Sequence, residues 1–491
     1  MLKQIIYYSC ICLVIICSFL LLSPNHNPTF NSDGAIMVLM THNFQLPEDI
    51  YFWGQDRGGS LIPLLAQFWN KVLNISAITS VTICLYVLLA AGLSGYALLL
   101  DRKLNKVFLS VYLFLPWFFF NDMIWYTLGV QISLIGFCIL LYHKLKIGEC
   151  KKEFAQNVLL LLLIDLIFVI NLWVSDQAII SLFALVILFY SLVFRKFKKS
   201  KMLVLTTINF LGIIAGIFVT GYLKKFALVR TENYLSINSF SQIISALENI
   251  VHSIKNYLLF NHNDVFLSIS VYLVLILFVL MLISLVQNYR MIDGSKRKWI
   301  LFFGFTTIAS LGSLIVSNWV LQNDMGRRYF IPIYFQCFVL LFILIENSPK
   351  VKLTKFIKYY TRILALILAC TNFIHFIHAE PKTLKPMVSV VADLQNLGKV
   401  GLIGSYWYSY ISSVANPESI VSTPYDGDAV RNYEVAESVF SQDAIYLIKN
   451  SWFAEFPDST FQFNHLLIKT GKAFDISDRT ICEYTLAEKL K

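Results

Sequence analysis

The sequence predicts an all-α polytopic membrane protein with about eleven transmembrane helices, followed by a small α/β domain at the C-terminal end. Three observations predict it. Of the 491 residues, 57% are hydrophobic and 14% charged, where a water-soluble domain carries about 25% charged residues. Apolar runs recur at roughly the 17–25 residues needed to cross a hydrocarbon core about 30 Å thick. Lys and Arg gather in every second connection between those runs.

The expected spans are 4–22, 76–100, 106–120, 127–143, 156–173, 178–194, 202–222, 265–287, 299–320, 329–346 and 359–378. The first could pass for a signal peptide. Ser23-Pro24-Asn25 is a poor cleavage site, so it reads as a retained helix. The basic connections are Asp101–Lys106, His143–Lys146 with Lys151 and Lys152, Arg195–Lys201, Arg290–Lys298 and Lys350–Arg362. The positive-inside rule places these, and Met1, in the cytoplasm. Connections 23–75, 121–126, 174–177, 223–264, 321–328 and the tail from 379 then lie outside. The expected division is a transmembrane domain over 1–378 and an extracytoplasmic domain over 379–491.

Segment 23–75 holds two helical patterns. Ser32 is placed to cap a helix starting at Asp33, with Ile36, Met37, Leu39 and Met40 on an apolar side. After Gly58-Gly59, Leu61, Leu64, Leu65, Phe68, Trp69, Val72 and Leu73 recur at helical steps, with Pro63 tolerated in the first turn. Both read as helices lying on the membrane surface; the alternative is that 61–75 extends the second span. Between them, Tyr51-Phe-Trp-Gly-Gln-Asp-Arg-Gly-Gly59 reads as an elbow bent at Gly58-Gly59. Its three aromatics are expected at headgroup depth. Segment 223–264 carries a capping box at Ser239–Gln242 and a third such helix through Ile243, Leu247, Ile250, Val251, Ile254 and Leu258.

From about 388 the pattern changes. Val400–Gly404 and Ala444–Ile448 read as buried strands, and 429–440 as a helix. Gly398 to Gly404 is not the dinucleotide-binding fingerprint.

Two function classes are set aside. The net charge is +10, but the cations sit in topology-setting loops, so nucleic acid is not an expected partner. The nine cysteines are Cys10, Cys12, Cys17, Cys84, Cys138, Cys150, Cys337, Cys370 and Cys482. Most lie in apolar runs and none forms a metal-type CxxC pair, so neither a zinc site nor a disulfide framework is expected.

The ionisable groups beside the lipid are informative. Asp33, Asp56, Arg57, Asp122, Asp176, Asp324, Arg327 and Arg328 come from four outside connections, yet all belong near one membrane face. Charges there are costly unless paired or facing a cavity. Asp324-Met-Gly-Arg-Arg-Tyr-Phe-Ile-Pro332 runs from a loop into a helix, placing Tyr329 beside two arginines whose planar forks fit phosphate. Taken singly, each carboxylate reads as a solvated loop group or cap, Arg327 and Arg328 as membrane anchors, and Asp56-Arg57 as a chance neighbour pair in a turn. Asp165, mid-span, reads as paired with a neighbouring helix, a proton or ion path being the alternative. The case rests on accumulation at one face.

This layout resembles the GT-C superfamily of membrane glycosyltransferases, of the protein O-mannosyltransferase and lipid A aminoarabinose transferase type. The resemblance covers the arrangement of residues 1–378 and the general idea of the tail. In Asn31-Ser-Asp-Gly-Ala35, Asp33 matches the family's first-loop catalytic aspartate. In Asn121-Asp-Met-Ile-Trp125, Asp122 matches an acid of the second outside loop. Arg327-Arg-Tyr-Phe-Ile-Pro332 is similar to the Arg-Tyr-x-x-Pro pattern near a lipid-phosphate pocket. The family's common paired acid is missing, because Ser32 and Gly34 flank Asp33, and this leaves Asp56 as a rival catalytic group.

The resemblance implies a polyprenyl-phosphate-linked sugar as donor, a glycan, lipid or protein as acceptor, and a bacterial inner membrane as location. It implies substrate-binding roles for Arg57, Asp122, Asp176, Arg327, Arg328 and Tyr329. In the implied inverting displacement a carboxylate takes the acceptor proton and arginine stabilises the leaving phosphate. The resemblance names no certain cofactor; a divalent cation could bridge carboxylates and phosphate, but no ligand spacing compels one. The rivals are a transporter or flippase of lipid-linked sugars, for which no clear internal repeat is found, a polymerase or ligase, and an assembly protein whose tail binds a partner.

Overall fold

The computed structural model describes residues 2–145, 151–228, 236–261, 265–347, 352–378, 385–451, 453 and 455–489. Lys146, Cys150, Lys350 and, in the second long connection, residues 229–235 and 262–264 lie outside the described residues. Among the described residues, eight helices are long and apolar enough to cross a membrane: Gln4–Leu22, Ala77–Ala97, Lys152–Val174, Ala178–Lys196, Lys199–Phe226, Val265–Gln287, Gly294–Val316 and Arg327–Asn347. Helices suit such spans because they satisfy every backbone group internally.

The span expected at 106–120 is not continuous. Helices Lys103–Phe114 and Phe118–Ile124 meet at 86°, with Pro116 at the break. Proline brings no N–H and disfavours helical backbone in the residue before it. Counting the bent pair gives nine spans. The remaining difference from about eleven lies in the short apolar helix Thr127–Tyr142 and in Lys352–His378.

Two compact units are present: Met1–Phe19, Tyr86–Tyr222 and Thr231–Lys382 form one, and Leu20–Leu85, Leu223–Arg230 and Thr383–Lys491 the other. The tail, expected as a domain of its own from 379, thus shares a unit with the first long loop.

In the first unit, glycines set a close helix crossing. A Cβ on Gly95 would lie 1.7 Å from the Gly136 carbonyl oxygen, and one on Gly136 would lie 2.4 Å from that of Gly92. Small residues let backbones approach in this way where lipid offers no hydrophobic drive for association. Asp165, 7% exposed, accepts a 2.7 Å hydrogen bond from Asn209 Nδ2, which is the inter-helix pairing expected for it. Helix Phe240–Leu258 begins with the expected capping box: Gln242 Oε1 accepts from Ser239 N at 2.8 Å, and Ser239 Oγ accepts from Gln242 N at 3.5 Å. Its Ala246 packs with Leu314, Val320 and Met325, while Phe240, Leu247 and Val251 remain exposed.

In the second unit, the cap of helix Ser32–His42 is Asn31 rather than Ser32. Asn31 Oδ1 accepts from Asp33 N at 3.1 Å and Gly34 N at 3.4 Å. This is no surface helix: Ser32 and every residue from Gly34 to Thr41 are buried. Helices Leu61–Leu73 and Tyr406–Ser413 pack against it, as a helix apolar on all sides requires. Helix Leu61–Leu73 is separate from Ala77–Ala97, because Asn74 takes a left-handed backbone, φ 52°. It keeps Leu64, Leu65, Phe68, Val72 and Leu73 exposed, as an interfacial helix would.

The elbow is a narrow hairpin in which Phe52 N donates to Gly58 O at 3.0 Å. Its positive-φ glycines are Gly54 and Gly58, each at 70°, rather than the expected Gly58-Gly59 pair. Tyr51, Phe52 and Trp53 are 2%, 8% and 5% exposed. They fill protein interior instead of reaching the headgroups.

The tail forms a seven-stranded sheet: β1 Val400–Gly404, β2 Ile420–Pro424, β3 Ala444–Ile448, β4 Ser459–Gln462, β5 His465–Lys469, β6 Phe474–Ile476 and β7 Arg479–Lys489. The order is β2-β1-β3-β7-β5-β4, with β6 paired to β7. β1 runs parallel to β2 and β3; the other pairs are antiparallel. Successive residues feed opposite faces: Ile403 and Leu447 join one apolar cluster, Leu402 and Ile448 another. The expected helix over 429–440 is present as Tyr433–Ser438 with a following 3-10 turn.

Gly95→Ala should destabilise the first unit by about 1–3 kcal/mol, since the added methyl meets backbone that cannot rotate away. Thermal unfolding of the detergent-solubilised variant against wild type measures this.

Candidate active site

Asp33 stands in the first turn of helix Ser32–His42, where the helix dipole favours a carboxylate. The Asn31 cap fixes the turn. The Tyr406 hydroxyl donates a hydrogen bond to Asp33 Oδ1. Tyr406 opens helix Tyr406–Ser413, two residues beyond the C-terminal end of β1, and its backbone N–H is held by Asp428 Oδ2 at 2.8 Å. The Arg431 guanidinium lies over the Tyr406 ring, 5.0 Å from its centroid. The Arg431 backbone N–H donates to Tyr410 Oη at 2.8 Å.

The Arg431 stem runs along Gly54, where a Cβ would come within 2.7 Å of Arg431 Cδ. Gly54 is thus required twice, by its positive φ and by this approach. Burial, and then the charge of Asp33, push the Tyr406 phenol well above its ordinary range, so it stays a proton donor. For Arg431, burial favours the neutral form, but Tyr406, Asp33 and Tyr410 outweigh it and hold the guanidinium charged.

Asp56 and Arg57 lie in the hairpin. Asp56 Oδ1 is enclosed and has no hydrogen-bond partner among the described residues. Arg57 Nε donates to Gln55 Oε1 at 3.1 Å. The same unit contains a cavity of about 450 Å³, with His42, Glu48, Asp49, Trp53 and Glu434 in its wall. Asp49 is 4% exposed and accepts from Trp53 Nε1 at 2.6 Å and from Gln45 N at 2.8 Å. Burial raises its pKa above the usual aspartate value; those two bonds oppose the rise, and Glu48 and Glu434 add to it.

In the first unit the arginine segment meets the loop that carries Asp122. Arg327 lies over Phe118 at 5.4 Å, and Arg328 over Tyr126 at 5.5 Å and Tyr329 at 5.9 Å. Tyr329 Oη accepts from Trp319 Nε1 at 2.9 Å. Asp122 belongs to the turn Phe118–Ile124, and its carbonyl accepts from Trp125 N and Tyr126 N. Asp176 lies in the short turn between helices Lys151–Val174 and Ala178–Leu192. Asp33, Asp56 and Arg57 therefore belong to one unit, and Asp122, Asp176, Arg327, Arg328 and Tyr329 to the other.

Tyr406 and Arg431 are absent from the expected site. The Asp33–Tyr406 pair spans 373 residues, so no local spacing reveals it. One signal was present: Tyr406-Trp-Tyr408 follows β1 at the strand's carboxyl end, where α/β sheets commonly place ligand-binding groups. Among the described residues, no group of three His, Cys, Asp or Glu could hold a metal ion.

No family model matches the sequence, and no curated protein matches it. The fold does have likenesses. ArnT from Cupriavidus metallidurans, solved bound to undecaprenyl phosphate, superposes at a TM-score of 0.53 with 9% identity, covering 98% of each chain. The oligosaccharyltransferase AglB from Archaeoglobus fulgidus, solved with an inhibitory peptide and a dolichol-phosphate, scores 0.43 with 12% identity, covering 91% of this chain and 70% of its own. Both are GT-C glycosyltransferases. The ArnT likeness, at its low identity, speaks for the fold, and it runs over nearly the whole chain.

Trp53→Phe keeps the ring but removes the indole donor from buried Asp49. A loss of about 1–3 kcal/mol is expected. It should grow as pH rises through the elevated Asp49 pKa, because the charged carboxylate needs the donor more than the neutral one. Unfolding curves of variant and wild type, recorded over a series of pH values from acid to neutral, follow the change.

Proposed function

We propose that this protein is a membrane glycosyltransferase that moves a sugar from a polyprenyl-phosphate donor to an acceptor hydroxyl at the outer membrane face, by a single inverting displacement. The observation that carries the reading is Asp33: a carboxylate in the first turn of a buried helix, held by Tyr406, in a chain sharing its fold with ArnT over 98% of both lengths. The ArnT structure binds undecaprenyl phosphate, and a lipid phosphate is the leaving group this reaction needs.

Asp33 serves as general base and takes the proton of the attacking hydroxyl. Asp56 is the second acid of the site. Arg57, Arg327 and Arg328 stabilise phosphate charge, and their planar forks suit it better than lysine would. Asp122, Asp176 and Tyr329 position substrate. The Arg327 and Arg328 geometry supports the role: guanidinium groups stacked on aromatic rings are pre-oriented, with less entropy left to lose when phosphate binds.

Purified protein incubated with a panel of polyprenyl-phosphate sugars should release polyprenyl phosphate with at least one of them. Asp33→Asn should lower that release by about a hundredfold or more, and Asp56→Asn and Arg57→Ala should also abolish it, all three inserting normally. Full turnover by all three variants would falsify the assignment. Movement of intact lipid-linked sugar across vesicles without any release would favour a transporter.

A further inference from the structure

We propose that the tail contributes directly to the reaction: Tyr406 and Arg431 are positioning residues that orient Asp33 and set a donor and a cation beside its carboxylate for proton abstraction. The inference rests on the reading of Asp33 as general base, and it goes beyond that reading by giving the α/β tail a chemical task.

The argument begins with geometry. A carboxylate is an efficient base only if its lone pair points at the acceptor, and a half-buried aspartate can rotate about its side-chain bonds. The hydroxyl of Tyr406 pins Oδ1. Tyr406 in turn has little freedom: its backbone is tied to Asp428, its ring packs edge-on against Tyr410 at 5.9 Å, and the Arg431 guanidinium covers it. Arg431 is locked by the Tyr410 hydroxyl at its backbone and by Gly54 along its stem. The chain of contacts therefore runs from the first-loop hairpin through Arg431 and Tyr406 to Asp33, all within one compact unit.

Electrostatics point the same way. A donor bonded to the charged carboxylate, with a cation behind it, favours the ionised form. Tyr406, whose own ionisation is suppressed by burial and by Asp33, keeps its proton and does not compete for the one the acceptor gives up. The titratable and charged groups in this set are Asp33, Tyr406, Tyr410, Asp428 and Arg431.

Tyr406→Phe removes one oxygen and keeps the ring beneath Arg431. It should lower kcat by about tenfold to a hundredfold, the loss of one hydrogen bond to a charged group, with KM for the lipid donor nearly unchanged. The acid limb of the pH–rate profile should move to higher pH, because the carboxylate loses a group that stabilised its charged form. Arg431→Met keeps the stem against Gly54 and removes the charge; it should move the limb in the same direction, and it serves if Tyr406→Phe folds poorly. A purely structural role would lower folded yield and leave the limb of the surviving protein in place, which would overturn the proposal, as would wild-type kcat in both variants. The two readings separate cleanly. Wild-type turnover by Asp33→Asn removes the base assignment itself. Loss of turnover by Asp33→Asn with unaltered profiles for both tail variants removes only the tail's part.

Discussion

The hydrogen bond from the Tyr406 phenol to the Asp33 carboxylate is the contact on which the second unit turns. It ties the first turn of a helix near the start of the chain to the first turn of a helix near its end. Enclosed polar groups are expensive without partners, and in a low-dielectric setting a satisfied network is stiff. That stiffness is supplied in layers. Asn31 closes the helix start, Asp428 holds Tyr406, and Gly54 gives Arg431 the only kind of surface that lets its stem lie flat. A side chain at position 54 would push the guanidinium off the ring and loosen the pair at one remove.

A fold by itself hosts many chemistries. What narrows this one is the kind of side chain that each part of the fold presents. The second unit offers a carboxylate with a phenol and a cation behind it. The first unit offers two adjacent arginines laid on Phe118, Tyr126 and Tyr329. An aromatic face attracts a guanidinium without neutralising its charge. A carboxylate backed by a phenol, and guanidinium groups laid on aromatic rings, are the two kinds of group that the proposed transfer from lipid phosphate to hydroxyl uses.

Much of this was legible in the sequence because the signals are local. Apolar runs marked the long helices. Ser239 and Gln242 marked a cap three residues apart. A lone acid at 165 called for a partner on another helix and found Asn209. Strands β1 and β3 stood out as apolar runs between polar flanks. Misreadings arose where two environments share a composition. Tyr51, Phe52 and Trp53 look the same whether bound for headgroups or for a protein interior, and their burial is decided by packing partners 350 or so residues away in the tail, such as Tyr410 beside Trp53. Asn31 and Ser32 are both good caps, and only the backbone chooses. Pro116 was visible, but the run around it was long and oily enough to read as unbroken. Tyr406 and Arg431 could not be placed beside Asp33 at all, since a contact of that sequence separation leaves no periodic trace.

The corner at Pro116 has a consequence for motion. Beyond the proline, the Trp117 backbone amide is taken by the Tyr334 hydroxyl at 2.9 Å, and the Tyr334 ring packs on Phe120 at 4.5 Å. Inside hydrocarbon an amide stripped of its acceptor costs several kcal/mol. Straightening or swinging the corner would expose that amide before any new contact could form. The bend therefore behaves as a welded bracket: the 118–126 segment, with Asp122 and the rings under the arginines, is held by a backbone contact behind it and not by side chains alone.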